Sequence, residues 1–155
     1  MAVFMNILSL DLGSQMGWAY GLKGQVPISS TVPFKGTRFE GGGMRFLRFR
    51  NWLTAFVKEN AIDIVVFEEV RNHKGVDASH IYGGLLAILS SFCEDHHVPY
   101  VGVGVGVIKK HATGKGNAGK DMMIDAMRQK GFSPKDDNEA DALALWHYAI
   151  DNIAI

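Results

Sequence analysis

Two apolar runs in this chain end abruptly in acid, and that pattern limits the possible folds more than any other. Val3, Phe4, Met5, Ile7, Leu8 and Leu10 form a nearly continuous apolar run over Phe4 to Leu10, and Asp11 follows at once. Ile62 to Phe67 is a second, β-branched run, with Glu68 and Glu69 directly after it. Such runs read as strands buried on both faces. Each strand then presents its terminal acid at the sheet edge, where loops and function gather. Asp11-Leu12-Gly13 also reads as a plain turn, since Asp and Gly both favour turns.

The intervening segments make a mixed sheet. Met16 to Leu22 and Pro27 to Phe34 read as second and third strands. Their connections are too short for a crossover, so the first three strands form an antiparallel meander. After Gly41-Gly42-Gly43 the period changes. Phe46, Leu47, Trp52, Leu53, Phe56 and Val57 recur at helical spacing, which predicts a helix over Met44 to Asn60. A second helix lies within Val76 to His97, with Asp77 as its N-cap. Pro99 to Ile108, with its alternating glycines, reads as the fifth strand. A loop rich in Gly and Lys follows over Lys110 to Gly119, and Asn117 is placed to cap a helix from Ala118 to Lys130. The last helix begins near Asp136. The expected order is β-β-β-α-β-α-β-α-α, an α/β sheet covered by helices.

The 155 residues fit one domain with a real core. No apolar run approaches the ~20 residues of a membrane span, and no segment reads as a signal peptide. Cytoplasm is the expected location, without membrane or nucleotide cofactor as partner. Cys93 is the sole cysteine, so no disulfide or cysteine metal cage forms, and it reads as core. Lys plus Arg and Asp plus Glu number 16 each, so net charge neither predicts nor excludes nucleic acid. The charge is uneven, however. Lys109, Lys110, His111, Lys115 and Lys120 precede any acid until Asp121, and Arg45, Arg48 and Arg50 form a second basic group.

Three acidic positions carry the chemistry. If the two acid-ended strands are neighbours, Asp11 and Glu68 lie side by side, and a nearby helix can add a third carboxylate. Carboxylates that close repel strongly. Mg²⁺ or Mn²⁺ relieves this, because hard cations take oxygen ligands. Two such ions ~3.5–4 Å apart activate a water and stabilise the leaving oxygen in phosphodiester cleavage. In the last helix Asp136 and Glu139 fit a capping box. Asp141 sits deeper, between Ala140 and Ala142, and a buried acid needs a partner. Asp137 and Asn138 share its face, so either could help bind a metal.

Three motifs, Asp11-Leu12-Gly13-Ser14, Val65-Val66-Phe67-Glu68-Glu69-Val70 and Glu139-Ala140-Asp141-Ala142-Leu143-Ala144-Leu145, stand in an order and spacing that resembles the RuvC-type Holliday-junction resolvases. That family includes short forms encoded by bacteriophages, and the resemblance runs over nearly the whole chain. It implies a ribonuclease-H-like fold: a five-stranded mixed sheet, part antiparallel meander and part parallel, flanked by helices. It also implies a homodimer and metal-dependent nicking of branched DNA such as four-way junctions and forks. The family's catalytic carboxylates carry over to Asp11, Glu68 and Asp141. A fourth family position, Asp or His, falls on Asn138, which can offer an oxygen to a metal but cannot act as a base. Asp137 stands one residue away as a substitute. Family lysines match Lys109 and Lys120, the latter counted with the catalytic set. Leu12 replaces a common Pro, and Arg71-Asn72-His73 stands where the family often has an aromatic.

Each position also has a plainer reading. Lys109, Lys110, Lys115 and Lys120 fit phosphate contact beside the acids, or a solvated loop. Arg71, His73 and Lys74 follow Glu68 directly and are candidates for DNA contact. Arg45, Arg48 and Arg50 read as a solvated face, and Glu69 as a surface acid. His80, His96, His97, His111 and His147 show no pairing that reads as a metal site. Phe46, Trp52, Phe56, Trp146 and Tyr148 fit core stripes or a dimer interface. Two other functions compete. One is a branched-DNA binder that does not cut, with Asn138 marking a decayed site. The other is a related nuclease acting on a different nucleic acid. An actin-like or sugar-kinase-like phosphotransferase also ends its first strand in Asp-x-Gly, but needs a second similar half.

Overall fold

Residues 4–153 are described by a computed structural model of the chain. The strands are β1 (Asn6–Asp11), β2 (Gln15–Leu22), β3 (Ile28–Pro33), β4 (Ile64–Glu69) and β5 (Tyr100–Gly104). They form one sheet in the order β3-β2-β1-β4-β5. β1, β2 and β3 pair antiparallel, as the short connections require. β4 runs parallel to β1, and β5 runs parallel to β4.

The helices are α1 (Met44–Glu59), α2 (Val76–Asp95), α3 (Val105–Thr113), α4 (Lys120–Gln129) and α5 (Asp137–Asn152). One face of the sheet packs against α3, α4 and α5 through Ile7, Ala19, Val66 and the alanine-rich side of α5. The other face packs against α1 and α2 through Leu8, Leu10, Val65, Phe67 and a group of aromatics. Ile7, Leu8, Ser9 and Leu10 are all fully buried, as a strand covered on both faces must be. Cys93 is buried too, and burial pushes its thiol up to about 11.

Several boundaries differ from expectation. Val3 lies outside the described residues, and Phe4 is 60% exposed, so the buried part of the first strand begins later. The strand expected over Pro99 to Ile108 stops at Gly104, and Val105 to Thr113 is a helix. Val105 and Val107 favour strands locally, but packing on α4 and α5 overrides that preference. The helix ends at Gly114, whose φ of 85° suits glycine and whose N–H bonds Lys110. Lys109 and Lys110 therefore ride on a helix and not on a strand end and loop.

Asp77 and Asn117 are not caps. Gly75 and Gly119 hold those positions, with no side-chain cap bond. Gly75 has a φ of 96°, which Asp could adopt only with strain. α2 is long and apolar enough to cross a membrane by length and composition, which the sequence reading did not anticipate. Its Leu85, Leu89, Phe92 and Cys93 pack on the sheet instead. Asp136 does cap α5, accepting a 2.8 Å bond from the Glu139 N–H.

Candidate active site

Strand parity selects the acids. Along β1, Ile7 and Ser9 face α5, while Leu8 and Leu10 face α1 and α2. Side chains alternate, so Asp11 points to the α5 side. Along β4, Ile64 and Val66 face α5, and Val65 and Phe67 face the opposite way. Glu68 therefore joins the α5 side, and Glu69 the other. The parallel register pairs Leu10 with Phe67, so Asp11 and Glu68 end adjacent strands together. This is why the first of two consecutive glutamates lies in the site, while Glu69 pairs loosely with exposed Arg71 at 3.4 Å.

The third acid arrives on α5, whose start is held from several sides. Thr31 donates to Asp136 Oδ1 at 2.8 Å. Glu139 is buried and accepts from Ser29 at 2.7 Å and from the Lys135 N–H at 3.1 Å. The glutamate thus reaches back one residue beyond the N-cap, a variant of the expected capping box. Gly17 lets α5 approach β2. A Cβ there would lie 1.9 Å from the Asn138 carbonyl oxygen. Further along, the buried Ser9 hydroxyl donates to the Ala142 carbonyl at 2.7 Å. These contacts place Asp141 over the ends of β1 and β4.

Carboxylate oxygens of Asp11, Glu68 and Asp141 all lie within 4.8 Å of one another. Burial, then Glu68, raises Asp11 well above the usual carboxylate range. Burial, then Glu68 and Asp137, pushes Asp141 up to about 7, while Lys109 and Lys120 act in the opposite sense. Three crowded acids with an all-oxygen donor set fit a hard divalent cation, which would replace the protons that otherwise relieve their repulsion.

Asp137 stands at the rim. It raises both Asp11 and Asp141, yet falls outside the three-oxygen group, with its Oδ2 3.4 Å from Lys120 Nζ. Asn138 meets β2 through its backbone at Gly17. Lys109 is half-buried and Lys120 is 81% exposed, and both act on Asp141. Lys110, Lys115, Arg71 and Lys74 are exposed, and no described contact ties them to the acids. An open cleft of about 470 Å³ beside Glu68 runs past Arg71 and Gly104.

Several contacts escaped the sequence reading. The Tyr82 hydroxyl donates to the Glu68 carbonyl at 2.7 Å and accepts from the Val70 N–H at 3.1 Å, so it fixes the end of β4. The His73 ring packs 4.8 Å from the Tyr82 ring. Arg45, read as solvated, donates to the Ser14 hydroxyl at 3.0 Å, in the turn after Asp11. Arg48 is tied instead to Glu40 at 2.5 Å. A polar residue on a helix facing a strand end is the only sequence signal for Tyr82.

This mixed sheet with helices on both faces has the ribonuclease-H-like fold. Solved structures of Holliday junction resolvases share it. RuvC of T. thermophilus in complex with Holliday junction substrate matches with a TM-score of 0.77 at 21% identity, over 91% of this chain and 90% of that one. The yeast mitochondrial Holliday junction resolvase matches with a TM-score of 0.67 at 9% identity, over 99% and 83%. The fowlpox virus resolvase in complex with Holliday junction DNA matches with a TM-score of 0.58 at 14% identity, over 96% and 99%. No protein-family model and no curated protein matches the sequence. The fold that the three motifs imply is thus the fold observed.

Proposed function

We propose that this chain is a metal-dependent endonuclease that nicks four-way junctions and other branched DNA. The observation that carries the reading is the group of three carboxylates, two on adjacent parallel strand ends and one on a capped helix. Asp11, Glu68 and Asp141 would hold two Mg²⁺ or Mn²⁺ ions, with Asp137 or the Asn138 amide completing the set. When bound, such ions supply an activated water and stabilise the leaving oxygen.

The chain's own groups do the rest. The three acids fix where the scissile phosphate can sit. Lys120 bridges toward Asp137 and is free to turn to a phosphate, since it is exposed. Lys109 adds positive charge on the same side. Lys110, Lys115, Arg71, His73 and Lys74 extend the surface along which DNA arms would lie. The resolvases of like fold, solved with Holliday junction DNA, support branched DNA as the substrate class. Symmetric cutting of a four-way junction needs two sites related by a twofold axis, so a homodimer belongs to this reading.

A nicking assay on a four-way junction, a fork and a linear duplex tests it, with Mg²⁺ or Mn²⁺. Paired nicks in the junction are expected, falling on the order of 10²–10³-fold or more in Asp11→Asn and in Glu68→Gln. Asn138, where the resolvase pattern has Asp or His, favours a second reading as a junction binder that does not cut. Tight junction binding without nicks under either ion would establish that reading instead.

A further inference from the structure

The second half of α5 carries another cluster with a different donor set. His147 and Asp151 lie one turn apart on α5, and His111 reaches them from α3. His111 Nε2 is 3.0 Å from Asp151 Oδ2, and His147 Nδ1 is 3.6 Å from the same oxygen. The two imidazole rings are 5.1 Å apart. One ligand atom from each of the three residues falls within 4.8 Å of the others. None of these residues belongs to the carboxylate site.

We propose that His111, His147 and Asp151 form a second metal site, for a borderline divalent transition ion of the Zn²⁺ class, which clips α3 to α5. The donor set is two imidazoles and one carboxylate, which suits zinc and its neighbours and not Mg²⁺. With metal–ligand lengths of ~2.0–2.2 Å, ligand atoms on a tetrahedral ion stand ~3.3 Å apart. The 3.0 and 3.6 Å separations bracket that value. A tetrahedral ion here keeps one position open for water.

A buried orphan points the same way. His147 Nδ1 and His111 Nδ1 are buried without a hydrogen-bond partner among the described residues, and such groups call for an explanation. A hydrogen bond from His111 to Asp151 accounts for one imidazole only. An ion on His147 Nδ1 makes that orphan a ligand, while His111 Nδ1 points away from the ion and is not explained by it. Burial lowers the proton affinity of His147, with Lys130 and His111 adding to this against Asp151. Lys130 also opposes a cation, and Asp151 supplies the offsetting charge.

The site has a structural consequence. His111 lies two residues beyond Lys109, and α5 also carries Asp141. Clipping the two helices fixes the lysine relative to the acid.

The test uses the full chain with Glu68→Gln and Asp141→Asn, which silences the oxygen site. Co²⁺ is titrated while four-coordinate visible bands are followed, and retained zinc is measured after dialysis. One ion per chain is expected, bound more than ~tenfold more weakly after His147→Gln and after Asp151→Asn. Zinc should raise Tm in the parent and not in either variant. Asp151 is exposed, so its substitution keeps the fold. Absence of bands and of retained zinc overturns the proposal, as does uptake unchanged by both substitutions.

Discussion

On the α5 side of the sheet, small residues let the helix come close: Gly17 lies against the Asn138 backbone, and Ala19 shares a cluster with Ala140, Ala142, Ala144 and Ala149, beside larger side chains such as Ile7, Leu143 and Trp146. On the α1 and α2 side, Phe34, Phe49, Leu53, Phe56, Leu89 and Phe92 fill the space. Trp18, Trp52 and Phe56 form an aromatic group there, with ring centroids 4.9 to 5.7 Å apart. Small residues bring a helix axis close to the strands and leave little freedom to shift. Large side chains hold their helices further off, where loss of atoms costs stability without re-aiming anything. The acids lie on the close-packed side, where a displacement of α5 would separate Asp141 from Asp11 and Glu68.

That contrast predicts different failures on the two sides. Gly17→Ala should have the largest effect on the site. Its Cβ cannot coexist with the Asn138 carbonyl, so α5 must move. A loss of about 3 kcal/mol or more is expected in denaturant unfolding, with nicking abolished in the molecules that fold. Leu89→Ala, on the other side and fully buried, should cost ~2–5 kcal/mol. Its nicking rate per folded molecule should stay near wild type. Equal nicking in the two variants would sink the distinction between the faces.

A smaller effect concerns pH. Without metal, folded Asp141 holds its proton up to about 7, while an unfolded aspartate loses it near its ordinary value of 3.8. The folded state therefore binds the extra proton between those values, and stability falls as pH rises through this window. Comparison of wild type with Asp141→Asn by urea unfolding in EDTA, from pH 4 to 8, isolates this term. The variant should gain on the order of 2 kcal/mol by pH 8, allowing for water at the open site. A divalent ion should remove the same slope in wild type. A flat difference between the two proteins would show that burial and neighbouring acids do not hold Asp141 as described.

The smallest effect is expected from Ser9→Ala. It deletes the bond to the Ala142 carbonyl and should cost about 1 kcal/mol by the same unfolding measurement. A loss near zero would mean that small-residue packing alone seats α5.

Much of this site was legible along the chain because its signals are local. Asp11 and Glu68 each end an apolar run, and Asp141 interrupts an alanine-rich helix. The Asp136 cap was readable from its spacing to Glu139. The strand meander followed from connections too short to cross over. The helix α3 was not readable, since the Gly-Val alternation over residues 100–107 carries a strand's period. Packing against α4 and α5 decided otherwise for its second half.

Residue types and their spacing therefore specified which acids end the strands and which helix brings the third. The choice of Glu68 over Glu69 was also made in the sequence, but its physical reason is tertiary, because it depends on which sheet face α5 covers. Residue types and spacing could not join His111 to Asp151, 40 positions away. Periodicity is a property of neighbours along the chain, whereas that meeting depends on how α3 and α5 pack together on one face of the sheet. The histidines show no pattern in sequence, and only folding places them around a common point.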